Sequence, residues 1–328
     1  MRALVCRAYG PIESLAIGEL PDPVPVAGQV VVGVKACGVN FPDLLIVQGK
    51  YQFKPPPPFA PGGEVAGVIE AVGPGVEGLR VGDRVLAMSI WGGMAEKLAA
   101  DATQVVRLPD GVDFKSASCV ATAYGTTVHA LRDRAHLQAG ETLLVLGAAG
   151  GVGLAAVQVG KRMGARVIAA ASTAEKLETC KRHGADLLVN YVTEDLKERV
   201  KALTDGAGAD VVYDPVGGPY TEAALRATAW NGRVLVIGFT AGDIPRVPTN
   251  LVLLKGCSLV GVFWGMALVR ERARLMGQIE EILGWVKDGS VRPHVHATFP
   301  LSRALDALRE VEQRRVQGKV VVVPGGEA

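Results

Sequence analysis

The stretch 143–164, LLVLGAAGGVGLAAVQVGKRMG, constrains this chain more than any other. Four apolar residues, 143–146, run into glycines at 147, 150, 151 and 153, after which the apolar period changes. Val152, Ala155, Ala156, Val159 and Met163 then follow helical spacing, so the order is strand, glycine turn, helix. Such a turn aims the unpaired N–H groups and positive dipole end of a helix at whatever fills the turn. An anion is the natural occupant, and glycine lets a pyrophosphate approach the backbone. Against the GxGxxG dinucleotide fingerprint, Ala148 stands in the first glycine's place, so context identifies the motif better than its letters do. A glycine packing turn is one competing reading. A membrane span is another, because residues 143–160 are uncharged and Gly147 and Gly151 have GxxxG spacing. The clustering of glycines at a strand-to-helix junction favours the nucleotide site, and no membrane association is expected.

At 328 residues the chain exceeds the size at which one core usually keeps growing, so two domains are expected. With 35 Lys+Arg against 33 Asp+Glu, the net charge of +2 gives no reason to expect a nucleic-acid partner. The five cysteines, at 6, 37, 119, 180 and 257, form no CxxC pair, which argues against a disulfide framework and a four-cysteine zinc lobe. A reducing cytoplasm is the expected compartment. Only four apolar residues separate Arg2 from Arg7, too few for a signal-peptide core.

Up to about residue 121 the chain reads as short β-branched runs (ALVCRA, QVVVGVKACGV, GEVAGVIEAVG, DRVLAM, EKLAA) broken by Gly, Pro and Asp, a small antiparallel barrel or sandwich. A short helix from Pro42 and a stiff proline run at 55–58 interrupt it, and Asp83 reads as a turn residue. Beyond Cys119 strands alternate with helices. Strands are expected at 167–172, 187–191, 211–214, 234–239 and 258–264, and helices at 175–183, 194–203 and 220–230. This α/β pattern predicts a doubly wound parallel sheet with a nucleotide site at the carboxyl ends of its strands. The tail predicts helices near 266–287 and 302–315 and a last strand at 318–323 that returns to the first domain.

In this fold a carboxylate at the end of the second strand usually holds the ribose 2′-hydroxyl of NAD. Ala171, Ser172 and Thr173 occupy that place, with Lys176 one turn on. Hydroxyls and a cation suit a 2′-phosphate, so NADPH is the expected cofactor; Lys176 taken alone reads equally as a solvated helix residue.

The motifs ACGVNFPDLLIVQGKY, PFAPGGEVAGVIEAVGPGV, YGTTVHAL, GAAGGVGLAAVQVGKRMGA, DPVGG, VIGFTAG, LKGCSLVGVFWG and QGKVVV together resemble the zinc-free quinone oxidoreductase branch of the medium-chain dehydrogenase/reductase superfamily. The resemblance implies a GroES-like β-barrel catalytic domain, residues 1–121 and 267–328, around an inserted Rossmann domain, residues 122–266. It implies a homodimer paired through the edge strand containing SLVGVFW. It also implies cofactor contacts at Thr126, Ala149, Gly150, Gly151, Val152, Ser172, Lys176, Tyr191, Val216, Phe239, Thr240, Phe263, Trp264 and Lys319. Zinc alcohol dehydrogenases of the superfamily carry ligands where this chain has Asn40 and Gly63, so no catalytic metal is expected. His294 and His296, on one face of a strand, lack a third ligand.

Without a Lewis acid the substrate must already be electrophilic or be activated by hydrogen bonds. A quinone or related conjugated carbonyl, reduced by NADPH in the interdomain cleft, is the expected substrate. Asn40 can donate an amide hydrogen bond to a carbonyl or to the cofactor ribose; as a bare residue it also suits a turn. Tyr51 lies in QGKY, which resembles the segment that carries the proton donor of enoyl-thioester reductases, and an enoyl-CoA or enone reductase is the alternative enzyme. A loop aromatic packed on the prolines is the plainer reading of Tyr51. Tyr124 and Cys119 are expected in the core. A crystallin-like protein that binds NADPH without turnover is the non-enzyme alternative.

Overall fold

The computed structural model describes residues 1–325, and the chain divides into two compact units. One comprises Met1–Thr122 together with the chain from Ala267 onward, the other Ala123–Met266. Strands in chain order are β1 (Arg2–Val5), β2 (Ala16–Glu19), β3 (Gln29–Val39), β4 (Glu64–Val72), β5 (Arg84–Met88), β6 (Lys97–Asp101) and β7 (Val105–Arg107), then β8 (Thr142–Leu146), β9 (Arg166–Ala171), β10 (Leu187–Asn190), β11 (Ala209–Asp214), β12 (Thr228–Val236) and β13 (Ser258–Gly261), and last β14 (Val295–Pro300) and β15 (Lys319–Val323).

The first unit is built on a seven-stranded sheet, ordered β14-β15-β3-β4-β5-β7, with β6 also paired to β3. The β3 run QVVVGVKACGV is buried along nearly its whole length, with Lys35 exposed, because neighbours flank it on both sides. Its branched side chains join Leu4, Ile12, Val65, Ile69, Met94, Val320 and Val322 in one core. The last strand does return to this unit, pairing antiparallel with β3 in the register Val320↔Val39 and Val321↔Gly38.

The second unit holds a six-stranded parallel sheet in the order β10-β9-β8-β11-β12-β13, the doubly wound arrangement. All its strands point the same way, so every strand's carboxyl end lies along one edge of the sheet. Helix Gly151–Arg162 follows β8 and is buried from Gly153 to Gly160, a wider face than the apolar stripe alone indicates. At Gly153 an added Cβ would lie 2.3 Å from the Gly147 carbonyl oxygen, so helix and turn touch backbone to backbone.

Four expected boundaries move. The helix expected over 220–230 is Pro219–Arg226, and Trp230 lies in β12 instead. There the β11–β12 register jumps from Ala209↔Thr228 to Val211↔Arg233, so residues such as Asn231, with φ +60°, bulge out of the ladder. That longer strand ends at Val236 rather than running to Phe239. β13 stops at Gly261, and Trp264 opens a helix, Trp264–Arg270. Glu271, with ψ +32°, separates that helix from Arg272–Lys287, where one continuous helix was expected. His294 precedes β14, so it does not share a strand face with His296.

Candidate active site

In the second unit the parallel topology gathers the expected cofactor residues. Ala149, Gly150, Gly151 and Val152 follow β8; Ser172 and Lys176 follow β9; Tyr191 follows β10; Val216 follows β11; Phe239 and Thr240 follow β12; Phe263 and Trp264 follow β13. All stand beyond carboxyl ends of the same sheet. Gly150 is the N-cap of helix Gly151–Arg162, and no side chain among the described residues caps that helix. Its first N–H groups therefore face the turn, an arrangement that fits a pyrophosphate.

After β11, Asp214 shapes the next turn: its Oδ1 accepts the Val216 and Gly217 N–H groups, each at 2.9 Å, and its Oδ2 accepts the Thr221 hydroxyl at 2.6 Å. The Thr240 N–H donates to the Pro215 carbonyl at 3.1 Å, joining the turns after β11 and β12. Tyr191 stacks obliquely on Tyr220, ring centroids 4.6 Å apart, and Trp264 on His129 at 6.0 Å. Thr126 is buried in the helical segment after Gly125, and Tyr124 belongs to the core, accepting a hydrogen bond from Gln158 Nε2 at 3.1 Å.

In the first unit, Asn40, Tyr51 and Lys319 lie with residues that sequence reasoning passed over. Adjacent strands β15, β3 and β4 bring Lys319, Asn40 and Glu64 to the same end of the sheet. Glu64 is fully buried and Lys319 is 5 % exposed. Lys319 Nζ donates to the Asn40 side-chain oxygen and, at 3.0 Å, to the Val39 carbonyl, and lies 3.6 Å from Glu64 Oε2. Asn40 Nδ2 donates to Glu64 Oε2 at 3.0 Å and to the Gly38 carbonyl at 3.2 Å. The other Glu64 oxygen accepts the Thr122 N–H at 3.2 Å.

Asn40 also precedes helix Phe41–Val47, and Asp43 Oδ2 accepts its backbone N–H at 2.7 Å. Burial, only partly opposed by that bond and by Lys319, pushes the Asp43 carboxyl up to about 7. The Asn-x-x-Asp spacing of a helix start was the available signal for Asp43. The pairing of Lys319 with Glu64 has no local signature. Tyr51, in the bend after this helix, is half-buried, with its ring 6.1 Å from Phe53. Its hydroxyl has no hydrogen-bond partner among the described residues. Burial foremost, and then the Asp43 charge, raise its pKa above the ordinary phenol value. Cys37 and Cys119 are fully buried thiols raised by desolvation, Cys119 to about 12. Among the described residues no group of three or more His, Cys, Asp or Glu is arranged to hold a metal ion. No helix among them is long and apolar enough to cross a membrane.

Residues 26–110 match the family described as alcohol dehydrogenase GroES-like domain, and residues 151–281 that described as zinc-binding dehydrogenase. The Rattus norvegicus protein named quinone oxidoreductase-like protein 2 is 40% identical over 98% of this chain and 91% of its own length. A Pseudomonas aeruginosa protein named quinone oxidoreductase is 34% identical over 97% of this chain and 98% of its own. The structure of Escherichia coli quinone oxidoreductase complexed with NADPH superposes with a TM-score of 0.90 at 29% identity, covering 99% of this chain and 100% of that one. The pairing of a GroES-like unit with a Rossmann unit, and these likenesses along nearly the whole chain, make it an oxidoreductase-family protein: the chain belongs to the medium-chain dehydrogenase/reductase superfamily, among its quinone oxidoreductase-like members.

Proposed function

We propose that this chain is an NADPH-dependent, zinc-independent oxidoreductase that transfers hydride to a quinone or a related conjugated carbonyl. The observation that carries the cofactor assignment is the sheet edge itself. An uncapped helix start follows β8, and the end of β9 presents Ser172, Thr173 and Lys176 where a carboxylate would repel a 2′-phosphate. The NADPH named in the E. coli neighbour supports the same reading.

The donor set beside Glu64 does not fit zinc. Asn40 is an amide, Glu64 is already occupied by Lys319, Asn40 and Thr122, and a Cβ at Gly63 would lie 2.7 Å from the Ser89 carbonyl oxygen, leaving no room for a ligating side chain. Activation of the substrate then falls to hydrogen-bond donors. NADPH, when bound, would supply the hydride, with its pyrophosphate held at residues 149–152; in the other unit, Asn40 and Tyr51 are the groups that would meet the electrophile.

A second reading, an enone or enoyl-thioester reductase, is favoured by Tyr51. Its hydroxyl has no hydrogen-bond partner among the described residues, and a phenol, here raised further by burial, carries the proton that such a step needs. Hydride addition at the β-carbon leaves an enolate, and Tyr51 would return a proton to its α-carbon. NADPH oxidation with a benzoquinone and with a crotonyl thioester, on the parent and Tyr51→Phe, separates the readings. Loss confined to the thioester makes Tyr51 the proton donor, and unchanged rates on both remove it from that role. NADPH binding without turnover on quinones, enones or nitroalkenes would instead favour the crystallin-like alternative. Pairing of β13 between two copies gives the proposed homodimer, and five buried free cysteines accord with the cytoplasm as compartment.

A further inference from the structure

The Asn40 side chain is held by three partners: Lys319, Glu64 and the Gly38 carbonyl. Its amide oxygen receives an ammonium, Lys319 Nζ, and one amide hydrogen goes to a carboxylate, Glu64 Oε2, at 3.0 Å. Flipping the amide would set its NH2 against the ammonium and its oxygen against the carboxylate, so the buried charges allow one orientation. The remaining amide hydrogen rests on the Gly38 carbonyl at 3.2 Å, two residues back on the same chain. That bond is neutral and local. A substrate carbonyl can share this hydrogen with the Gly38 oxygen, or take it over in exchange for one neutral bond, without disturbing the two charged contacts. Asn40 itself is only half-buried, whereas the two charges behind it are buried.

We propose that Lys319 and Glu64 are positioning residues that lock the Asn40 amide and polarise it, making its free-to-exchange N–H a stronger donor to the substrate oxygen. A cation on the amide oxygen draws electron density from the nitrogen, and the low local dielectric strengthens the effect. Lys319 thereby acts through Asn40: its ammonium bonds Val39 and Asn40 and lies against Glu64. The inference rests on the reductase reading for its catalytic consequence, while the polarisation of Asn40 can be measured without turnover.

The experiment uses the full chain, 15N-labelled at asparagine; there are four, at 40, 190, 231 and 250, so the Asn40 side-chain resonances are assigned by comparison with Asn40→Ala. In Lys319→Met these resonances should move upfield. The kcat for benzoquinone should fall about tenfold or more, with the Kd for NADPH, read by cofactor fluorescence, within about twofold of the parent. In an Asn40→Ala background the same substitution should cost less than about twofold in kcat, because residues acting as one unit are not additive. Should Lys319→Met fail to fold, the charge-neutral pair Glu64→Gln with Lys319→Met replaces it. Unmoved Asn40 resonances, multiplying losses in the double variant, or a weakening of NADPH binding as large as the kcat loss each overturn the proposal. If the parent reduces neither quinone nor enone, the reductase reading fails, and the resonance shift alone decides whether Lys319 polarises Asn40.

Discussion

Asp43 Oδ2 accepts the backbone N–H of Asn40 at 2.7 Å, and the carboxyl that makes this bond is 2 % exposed. Burial raises it to about 7, whereas the unfolded chain releases that proton near 4. Between these values the native protein holds a proton that the unfolded chain has lost, so this contribution to stability is complete below pH 4 and is lost as pH rises to 7. At about 1.4 kcal/mol for each tenfold change in acidity, the whole effect amounts to a few kcal/mol. Asp43→Asn keeps an acceptor for the Asn40 N–H and removes the titration. Urea unfolding from pH 5 to pH 7.5 should show the parent losing stability relative to Asp43→Asn; parallel pH profiles for the two proteins would refute the assignment.

The glycines of the nucleotide turn divide into two kinds. Gly153 packs against backbone: an added Cβ meets the Gly147 oxygen at 2.3 Å and Ala148 backbone atoms at 2.8 Å. Alanine gains about 1 kcal/mol of helix propensity, but overpacking costs roughly 1–3 kcal/mol, and backbone atoms cannot rotate aside. Gly153→Ala should therefore lower the Tm by several degrees. Gly150 has an extended backbone, φ −75° and ψ 175°, and its Cβ would meet only the Gly147 oxygen, at 3.4 Å. Gly150→Ala should melt like the parent and bind NADPH about tenfold more weakly, because the methyl stands where a pyrophosphate approaches. Equal NADPH affinity would show that the turn does not hold the anion.

The proposed dimer gives a third test. Among the described residues β13 pairs only with β12, and it and the residues that follow leave Leu259 39 % and Phe263 40 % exposed. An apolar edge of this kind invites pairing with a second copy. Leu259→Lys should yield monomers in sedimentation velocity at concentrations where the parent is dimeric; a parent that sediments as a monomer rules the pairing out.

What could be read from the sequence followed local pattern. The glycines at 147–153 mark the strand-to-helix junction because that motif is contiguous, and β-branched runs such as 29–39 announce their strands. Trp230 was misplaced because Asn231 and Gly232 carry turn chemistry inside a strand, a bulge that only the register with β11 defines. The SLVGVFW run reads as one strand since apolar periodicity does not mark Gly261 as its end. The Lys319–Glu64 contact joins residues far apart in the chain through the order of β15, β3 and β4, which no periodicity encodes. Asn40 was legible as a polar residue at a telling place; that both its amide hydrogens are engaged was not.

The cofactor preference turns on three neighbouring residues with separable duties. Thr173 Oγ1 accepts the Lys176 N–H at 3.2 Å and caps helix Ala174–Arg182, so Thr173→Ala should cost about 1 kcal/mol of stability and leave the ratio of NADPH to NADH affinity unchanged. The Ser172 hydroxyl has no hydrogen-bond partner among the described residues, and Lys176 brings the cation. If both meet a 2′-phosphate, Lys176→Ala should weaken NADPH about tenfold with NADH little affected, since a partly solvated charge-assisted bond is worth about 1.5 kcal/mol. Ser172→Asp should go further and reverse the preference, setting a carboxylate where it repels the phosphate and can accept a ribose 2′-hydroxyl. Fluorescence titration with both cofactors reads every case. Equal weakening of NADH and NADPH by Lys176→Ala would mean that the lysine serves the helix and not the phosphate.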